Sequence, residues 1–210
     1  SGDKAKLHSL QYIHDYFFLK AIDSLRPGGI LAFVTSKGIA DSPTNQIVRE
    51  SMVKQCRLLS AVRFPNDLFM EGSGISVASD LILLQKRIPG TDASLSAEEF
   101  AFTKSEKGEE GVYVNSFFTE YPDNMLVDRV EIGRNQFGQL DYNYSFSEGQ
   151  DILEEKLLEI LSDDVPRNFS EKDYRHMEEE LKVPRQKEKP PVNKKEVVAG
   201  LSLFDLWDAQ

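Results

Sequence analysis

Positions Leu7, Leu10, His14, Phe17, Ala21 and Leu25 recur at spacings of three and four, with Phe18 and Ile22 beside them. This spacing predicts a helix with one broad apolar face, which must lie on something large. Pro27 cannot continue that helix and disfavours helical geometry at Arg26, and Gly28-Gly29 permits a chain reversal. Ile30 to Val34 is wholly apolar with two β-branched residues, the pattern of a parallel strand covered on both faces. Asp41-Ser42-Pro43-Thr44 then resembles a helix start, and Ile47, Val48, Ser51, Met52 and Cys56 continue a helical face to about residue 57. Leu58–Phe64 (LLSAVRF) reads as a second strand stopped by Pro65-Asn66, Asn66–Ala78 as a loop with two glycines, and Ser79–Arg87 (SDLILLQKR) as a third strand. Helix, strand, helix, strand, loop, strand is the trailing half of an open α/β sheet ending in an antiparallel pair.

Beyond residue 90 the signals shorten. Residues 91–99 read as polar linker, and the runs FAF, VYV, NSFF, DRVEI and DYNYSF between Phe100 and Phe146, with turns at Lys107-Gly108 and Gln136-Phe137-Gly138, predict a small β-rich extension over 91–147. Ser147 and Gln150 have capping-box spacing ahead of a helix carrying Ile152, Leu153, Leu157, Ile160 and Leu161, and Ser170 opens a second polar helix over Glu171–Leu181, giving a helical segment over 148–183. Residues 184–210 are a Pro- and charge-rich tether ending in an apolar tail.

Charge separates the two parts. The 210-residue chain has a net charge of −10, but residues 1–90 sum to +3 and residues 91–210 to −13. A strongly acidic second part offers no general attraction to phosphates, so nucleic-acid contact is expected in the first ninety residues or on a partner. Cys56 is the only cysteine, which excludes an internal disulfide and points to a reducing compartment; it reads as a small buried apolar residue on a helix. No apolar run reaches the roughly 20 residues of a membrane-spanning helix and no signal-peptide pattern opens the chain, so no membrane contact and a cytoplasmic location are expected. The chain starts just before a helix whose sheet needs several strands, while residues 1–90 supply three. It is expected to be a portion of something longer.

The run HDYFFLKAIDSLRPGGILAFVTS, then AVRFPNDLF and SDLILLQKR, resembles the later half of adenine-specific DNA methyltransferases, those related to type I restriction-modification subunits and to methyltransferase-helicase proteins of bacterial mobile elements. The resemblance covers residues 7–90 and, more loosely, extends to about 160. It implies an α/β fold: the C-terminal half of a Rossmann-like S-adenosylmethionine-dependent methyltransferase sheet, followed by a small β-rich and helical extension. It also implies methyl transfer from S-adenosylmethionine to adenine N6 in DNA by the parent protein. The family's cofactor glycines and its Asn/Asp-Pro-Pro-aromatic motif are not in this sequence, whose only Pro-Pro, Pro190-Pro191, follows Lys189 in the tether. This chain alone is therefore expected to bind no S-adenosylmethionine and to catalyse nothing, and its partner is the missing N-terminal half of the domain. Enzymes that modify a duplex base extrude it and stack it on an aromatic face. The resemblance assigns that role to Phe69, with Phe64 as second choice; the bland alternative for Phe69 is that it plugs the loop onto the sheet as core packing. Lys37 and Arg63 are candidate phosphate contacts. The rival reading is a noncatalytic scaffolding or antirestriction module.

His8, His14 and His176 have no metal-binding spacing, and the acid runs Asp163-Asp164 and Glu178–Glu180 read as solvated helix faces. In the tail, Gly200-Leu201-Ser202-Leu203-Phe204 is similar to the bacterial sliding-clamp-binding pentapeptide, with Gly200 in place of the usual Gln. Leu201, Leu203 and Phe204 would be its anchors; folding back on the chain's own domain is the alternative.

Overall fold

The computed structural model describes residues 4–5, 13–68, 76–90, 94–108, 111–135 and 137–175. It is a mixed α/β structure. Helix α1 (Ile13–Ser24) buries Asp15, Phe18, Leu19 and Ile22. The expected stripe is rotated: His14 faces solvent and Phe17 is 54% exposed, because the sheet is met by the 15/18/19/22 face. Gly28 turns the chain with φ 73°, and its N–H donates to the Lys86 carbonyl at 2.8 Å. That bond starts the pairing of β1 (Ile30–Ser36) with β3 (Ser79–Lys86). Helix α2 (Gly38–Asp41), a 3-10 turn over Pro43–Asn45 and helix α3 (Gln46–Gln55) lead to β2 (Cys56–Phe64).

The three predicted strands form one sheet in the order β1-β3-β2, with β3 antiparallel to both neighbours. This corrects the reading of β1. It is an edge strand paired antiparallel, and along it Ile30, Ala32 and Val34 are exposed while Leu31 is buried. The apolar run promised two covered faces, and among the described residues only the face carrying Leu31 and Phe33 has its cover: Phe33 meets Phe18 of α1 edge-on at 4.8 Å between ring centroids. Cys56 is buried but opens β2 rather than ending a helix.

Strand β2 pairs Leu58 with Leu84 and Ser60 with Leu83, so Leu59 is an extra residue, a bulge that reverses the alternation beyond it. Leu58, Ala61, Ile82 and Leu84 join Phe18, Met52 and Val53 in the core under α1 and α3. Val62 and Phe64 point the other way, into a second cluster with Leu126 and Leu153. Leu153 belongs to α6 (Gln150–Asn168), which lies across β2.

The first core crosses residue 90, since it includes Ala101, Phe102, Phe117 and Phe118. Two short helices supply them, α4 (Ala97–Thr103) and α5 (Ser116–Glu120), where linker and strand-like runs were expected. Helix α4 opens with a capping box: Glu99 N–H donates to Ser96 Oγ and Ser96 N–H to Glu99 Oε2. The other oxygen of Glu99 accepts from Arg87 and from Leu58 N–H, beside the bulge. Helix α5 is capped by Asn115, whose side chain accepts from Phe117 N–H and donates to the Ala40 and Phe102 carbonyls. Buried Arg49 makes a further tie across residue 90, donating to Ile39 and Ser42 carbonyls on one side and to Thr103 and Ser105 on the other. Burial pushes its guanidinium down to about 10.

The β-rich expectation holds for two hairpins, β4–β5 (Ser105–Lys107, Tyr113–Asn115) and β6–β7 (Arg129–Arg134, Leu140–Ser145). The cap predicted at Ser147 does not form. Its N–H and hydroxyl both donate to Asp128, and α6 instead starts after Gly149 with no side-chain cap. Among the described residues no helix is long and apolar enough to cross a membrane.

Candidate functional site

In open α/β sheets ligands gather outside the carboxyl ends of the strands. Here that end is formed by Lys37 after β1, by Phe64-Pro65-Asn66 after β2, and by the start of β3, which runs the opposite way. Hairpin β6–β7 is fastened over it. Asn66 N–H donates to the Tyr144 carbonyl at 2.8 Å, Tyr144 N–H to Asn66 Oδ1 at 2.9 Å, and Asn66 Nδ2 to Asn143 Oδ1 at 2.9 Å.

Beneath the hairpin lies a buried charge network centred on Arg63. Its guanidinium is fully buried and donates to both carboxylate oxygens of Asp80 at 2.8 and 2.9 Å, to Asp41 at 2.8 Å and to the Tyr144 hydroxyl at 3.1 Å. Its carbon lies 4.2 Å from the centre of the Phe118 ring and 5.1 Å from that of Tyr144. Burial by itself would lower the Arg63 pKa, but Asp41 and Asp80 outweigh it and hold the guanidinium well above its ordinary value. Burial also lifts the Asp80 carboxyl and Arg63 pulls it back; the upward direction prevails. For Tyr144, burial raises the phenol above its ordinary value. Asp41 additionally accepts from Asn115 N–H at 2.9 Å, and Lys37 bridges Asp41 and Asp141 of β7. One cluster therefore joins α2, β2, β3, α5 and the hairpin.

These positions correct two candidate roles. Arg63 is not a surface cation, because all its charge is used inside the fold. Phe64 is 5% exposed with its ring in the cluster under α6, so it presents no stacking face. Lys37 does sit at the carboxyl end of β1, mostly covered and bound to two carboxylates. Phe69 lies outside the described residues, as do Leu201, Leu203, Phe204, His8 and His176. Among the described residues no three His, Cys, Asp or Glu side chains are grouped to hold a metal. Reading by residue type missed Asp41, Asp80 and Tyr144. A signal was present for one pair: Arg63 is the one charge in the run LLSAVRF, Asp80 stands directly before the apolar run LILL, and the two are directly paired across β2 and β3.

A second concavity, an open groove of about 560 Å³, runs between Pro122–Val127 and α6. Asp123, Glu159 and Asp163 on its walls oppose phosphate binding, with Lys156 the only cation among the described lining residues.

No family model matches the chain, and no curated protein does. Among solved structures, a candidate class I S-adenosylmethionine-dependent methyltransferase from Listeria monocytogenes is similar over 40% of this chain and 24% of its own length, at 17% identity and a TM-score of 0.33. A likeness of that extent assigns no activity to this chain.

Proposed function

We propose that the chain closes the Rossmann-like sheet of an S-adenosylmethionine-dependent methyltransferase that modifies adenine N6 in DNA, and that the cofactor and the catalytic motif belong to the remainder of the domain. One observation supports this most: the outer edge of β1, which pairs with no strand among the described residues. Ile30, 45% exposed, and Val34, 54% exposed, lie on one face of that edge, and Ile13 and Phe17 of α1 lie exposed on the other. Leu81 and Leu83, the β3 partners of Val34 and Ala32, are only half-buried on the same side as Ile30 and Val34. An edge without a partner among the described residues, with apolar side chains on both sides, suits continuation of the sheet by another strand and its covering helix. In this reading β1, β3 and β2 are the closing strands, the segment after β2 faces the target base, and Phe69 stacks on it.

The test is transfer of a labelled methyl group from S-adenosylmethionine to adenine-containing duplex by protein extended through the coding sequence upstream of Ser1. The extended protein is expected to bind S-adenosylmethionine and methylate adenine, and Val34→Lys is expected to disrupt both by charging the seam. An extended protein that binds no S-adenosylmethionine would remove the proposal. Phe69→Ala is expected to abolish the rise in 2-aminopurine fluorescence on base extrusion while leaving cofactor binding intact.

A further inference from the structure

The groove of about 560 Å³ between Pro122–Val127 and α6 combines an apolar surface with an acidic rim. Met125, Val127 and Ile160 line it half-buried, and Pro122 lines it exposed. Asp123 stands on one wall, Glu159 and Asp163 on the other, all three exposed. The cations nearby are already engaged. Lys156 is bonded to Glu148 at 2.6 Å, and Arg167 to Asp163 at 2.8 Å and to Asp164 at 2.5 Å. Among the described residues, Asp123 and Glu159 have no cation at ion-pair distance.

A groove of this kind repels anions and suits long side chains that are apolar along the stem and positive at the end: the stems lie on Met125, Val127 and Ile160 while the charged ends reach the carboxylates. The chain itself carries a segment of that chemistry. Residues 182–195, KVPRQKEKPPVNKK, hold six Lys or Arg and three Pro against one Glu, whereas residues 91–181 hold eight Lys or Arg against 23 Asp or Glu. A basic stretch set in so acidic a part of the chain is complementary to its surroundings. Reach allows the meeting. From Asn168, the end of α6, back to Glu159 is about 14 Å at the helical rise, and the seven steps from Arg175 to Lys182 span up to about 24 Å, with the fourteen residues beyond able to extend about 45 Å further.

We propose that residues 182–195 dock in this groove of their own chain, their Lys and Arg ends pairing with Asp123 and Glu159 and their prolines covering Met125, Val127 and Ile160. Proline restricts the unbound chain, which lowers the entropy lost on docking. A second copy offers the same segment, but two chains of net charge −10 repel each other and the tethered segment has the advantage of an effective concentration near millimolar. The contact is independent of the methyltransferase reading. Met125 bridges to Arg63 of β2, so the groove lies at the β2 side of the sheet, and the continuation proposed above lies at β1 on the opposite edge.

The test uses the full 210-residue chain with a nitroxide on Gln186→Cys; Cys56 is buried and stays unlabelled. At low salt the amide signals of Met125, Val127, Glu159 and Ile160 are expected to broaden, and to recover at high salt or when Asp123→Asn and Glu159→Gln are introduced together. Trypsin is expected to cut after Arg185 and Lys187 about fivefold more slowly in the parent chain than in that double variant. The melting temperatures of the two should be equal, since both replaced side chains are exposed. Groove amides that stay sharp at low salt, or broadening and cleavage rates that the double variant leaves unchanged, overturn the inference. Broadening that arises only between a nitroxide-bearing chain and a separate isotope-labelled chain places a second copy in the groove and overturns it as well.

Discussion

Replacing Arg63 by Met measures what the buried network is worth. The substitution keeps an apolar stem against Phe118 and Tyr144 and removes the charge that Asp80 and Asp41 share. Asp41 keeps Lys37 and Asn115 N–H, so the main loss falls on Asp80, which is fully buried. Breaking a buried pair from one side typically costs about 3–5 kcal/mol. A second route gives an upper bound: Asp80 can escape by taking up a proton, and protonating a carboxyl of ordinary pKa about 3.9 at about pH 7 costs roughly 4 kcal/mol. The two values agree, so the native state of the variant should hold Asp80 protonated. Its pKa is then raised above the unfolded value, and the stability of the variant is greatest at low pH and falls as pH rises through the range between the two. Urea unfolding followed by circular dichroism should therefore show a deficit of at most about 4 kcal/mol near pH 7 that shrinks toward pH 5, the parent protein already holding the Asp80 carboxyl above its ordinary value. Adding Asp80→Leu should restore much of the loss, because a well-packed apolar pair replaces an orphaned charge. A deficit below about 1 kcal/mol, or one that does not change with pH, would refute the reasoning and return Arg63 to the surface role expected from its residue type.

Other consequences are equally direct. Burial pushes the Cys56 thiol from 9.0 up to about 12, so the native state prefers it protonated and its contribution to stability is lost as pH rises from 9.0 toward 12; the slope should be about 1.4 kcal/mol per pH unit, absent in Cys56→Ala, and the native thiol should resist Ellman's reagent near pH 8. Gly28→Ala should destabilise by more than about 1–2 kcal/mol in thermal unfolding, since φ is 73° and a Cβ would meet the Asp173 carbonyl. Gly90→Ala, with φ 85° but open space around it, isolates the backbone strain and should cost less. A peptide of residues 197–210 should bind the bacterial sliding clamp saturably in fluorescence polarisation if Leu201, Leu203 and Phe204 are anchors; unsaturable binding leaves the tail to its own domain.

How far the sequence reached depended on whether the deciding contacts were local. The strands at 30, 58 and 79 were legible because short apolar runs bounded by Pro, Gly and Asn leave few alternatives, and the β6–β7 hairpin was legible from its Gly138 turn. Helix α4 departs from expectation although Ser96 and Glu99 spell a capping box, because FAF alone has the pattern of a short strand and the acids before it that of a linker. At Ser147 the same signal misled: Asp128, distant in sequence, takes the hydroxyl that the cap would need. For α1 the apolar stripe is wider than the face the sheet covers, so spacing alone could not say that Phe18 turns in and Phe17 out. Of the candidate site, the end of the sheet was legible from the order of elements. The fate of Arg63 was not, because burial and its pairing with Asp80 depend on strand register.

That register turns on one residue. Upstream of the bulge Leu58 points to the face under α1 and α3; beyond it, Ala61 and Arg63 do so, while Ser60, Val62 and Phe64 face α6. Were Leu59 paired normally, alternation from Leu58 would send Ser60, Val62 and Phe64 to the first face and Ala61 and Arg63 under α6. Ser60 would then lose Asp164, whose carboxylate it shares with Asn124. Arg63 would meet the apolar cluster of Leu126 and Leu153 in place of Asp41, Asp80 and Tyr144. A buried guanidinium without carboxylates is among the costliest errors a core can contain. The bulge and the charge network therefore require each other. The backbone of Leu58, beside the irregular position, bonds to Glu99 of α4, so the residues beyond 90 fix the register that holds the hairpin in place at the far end of the same strand.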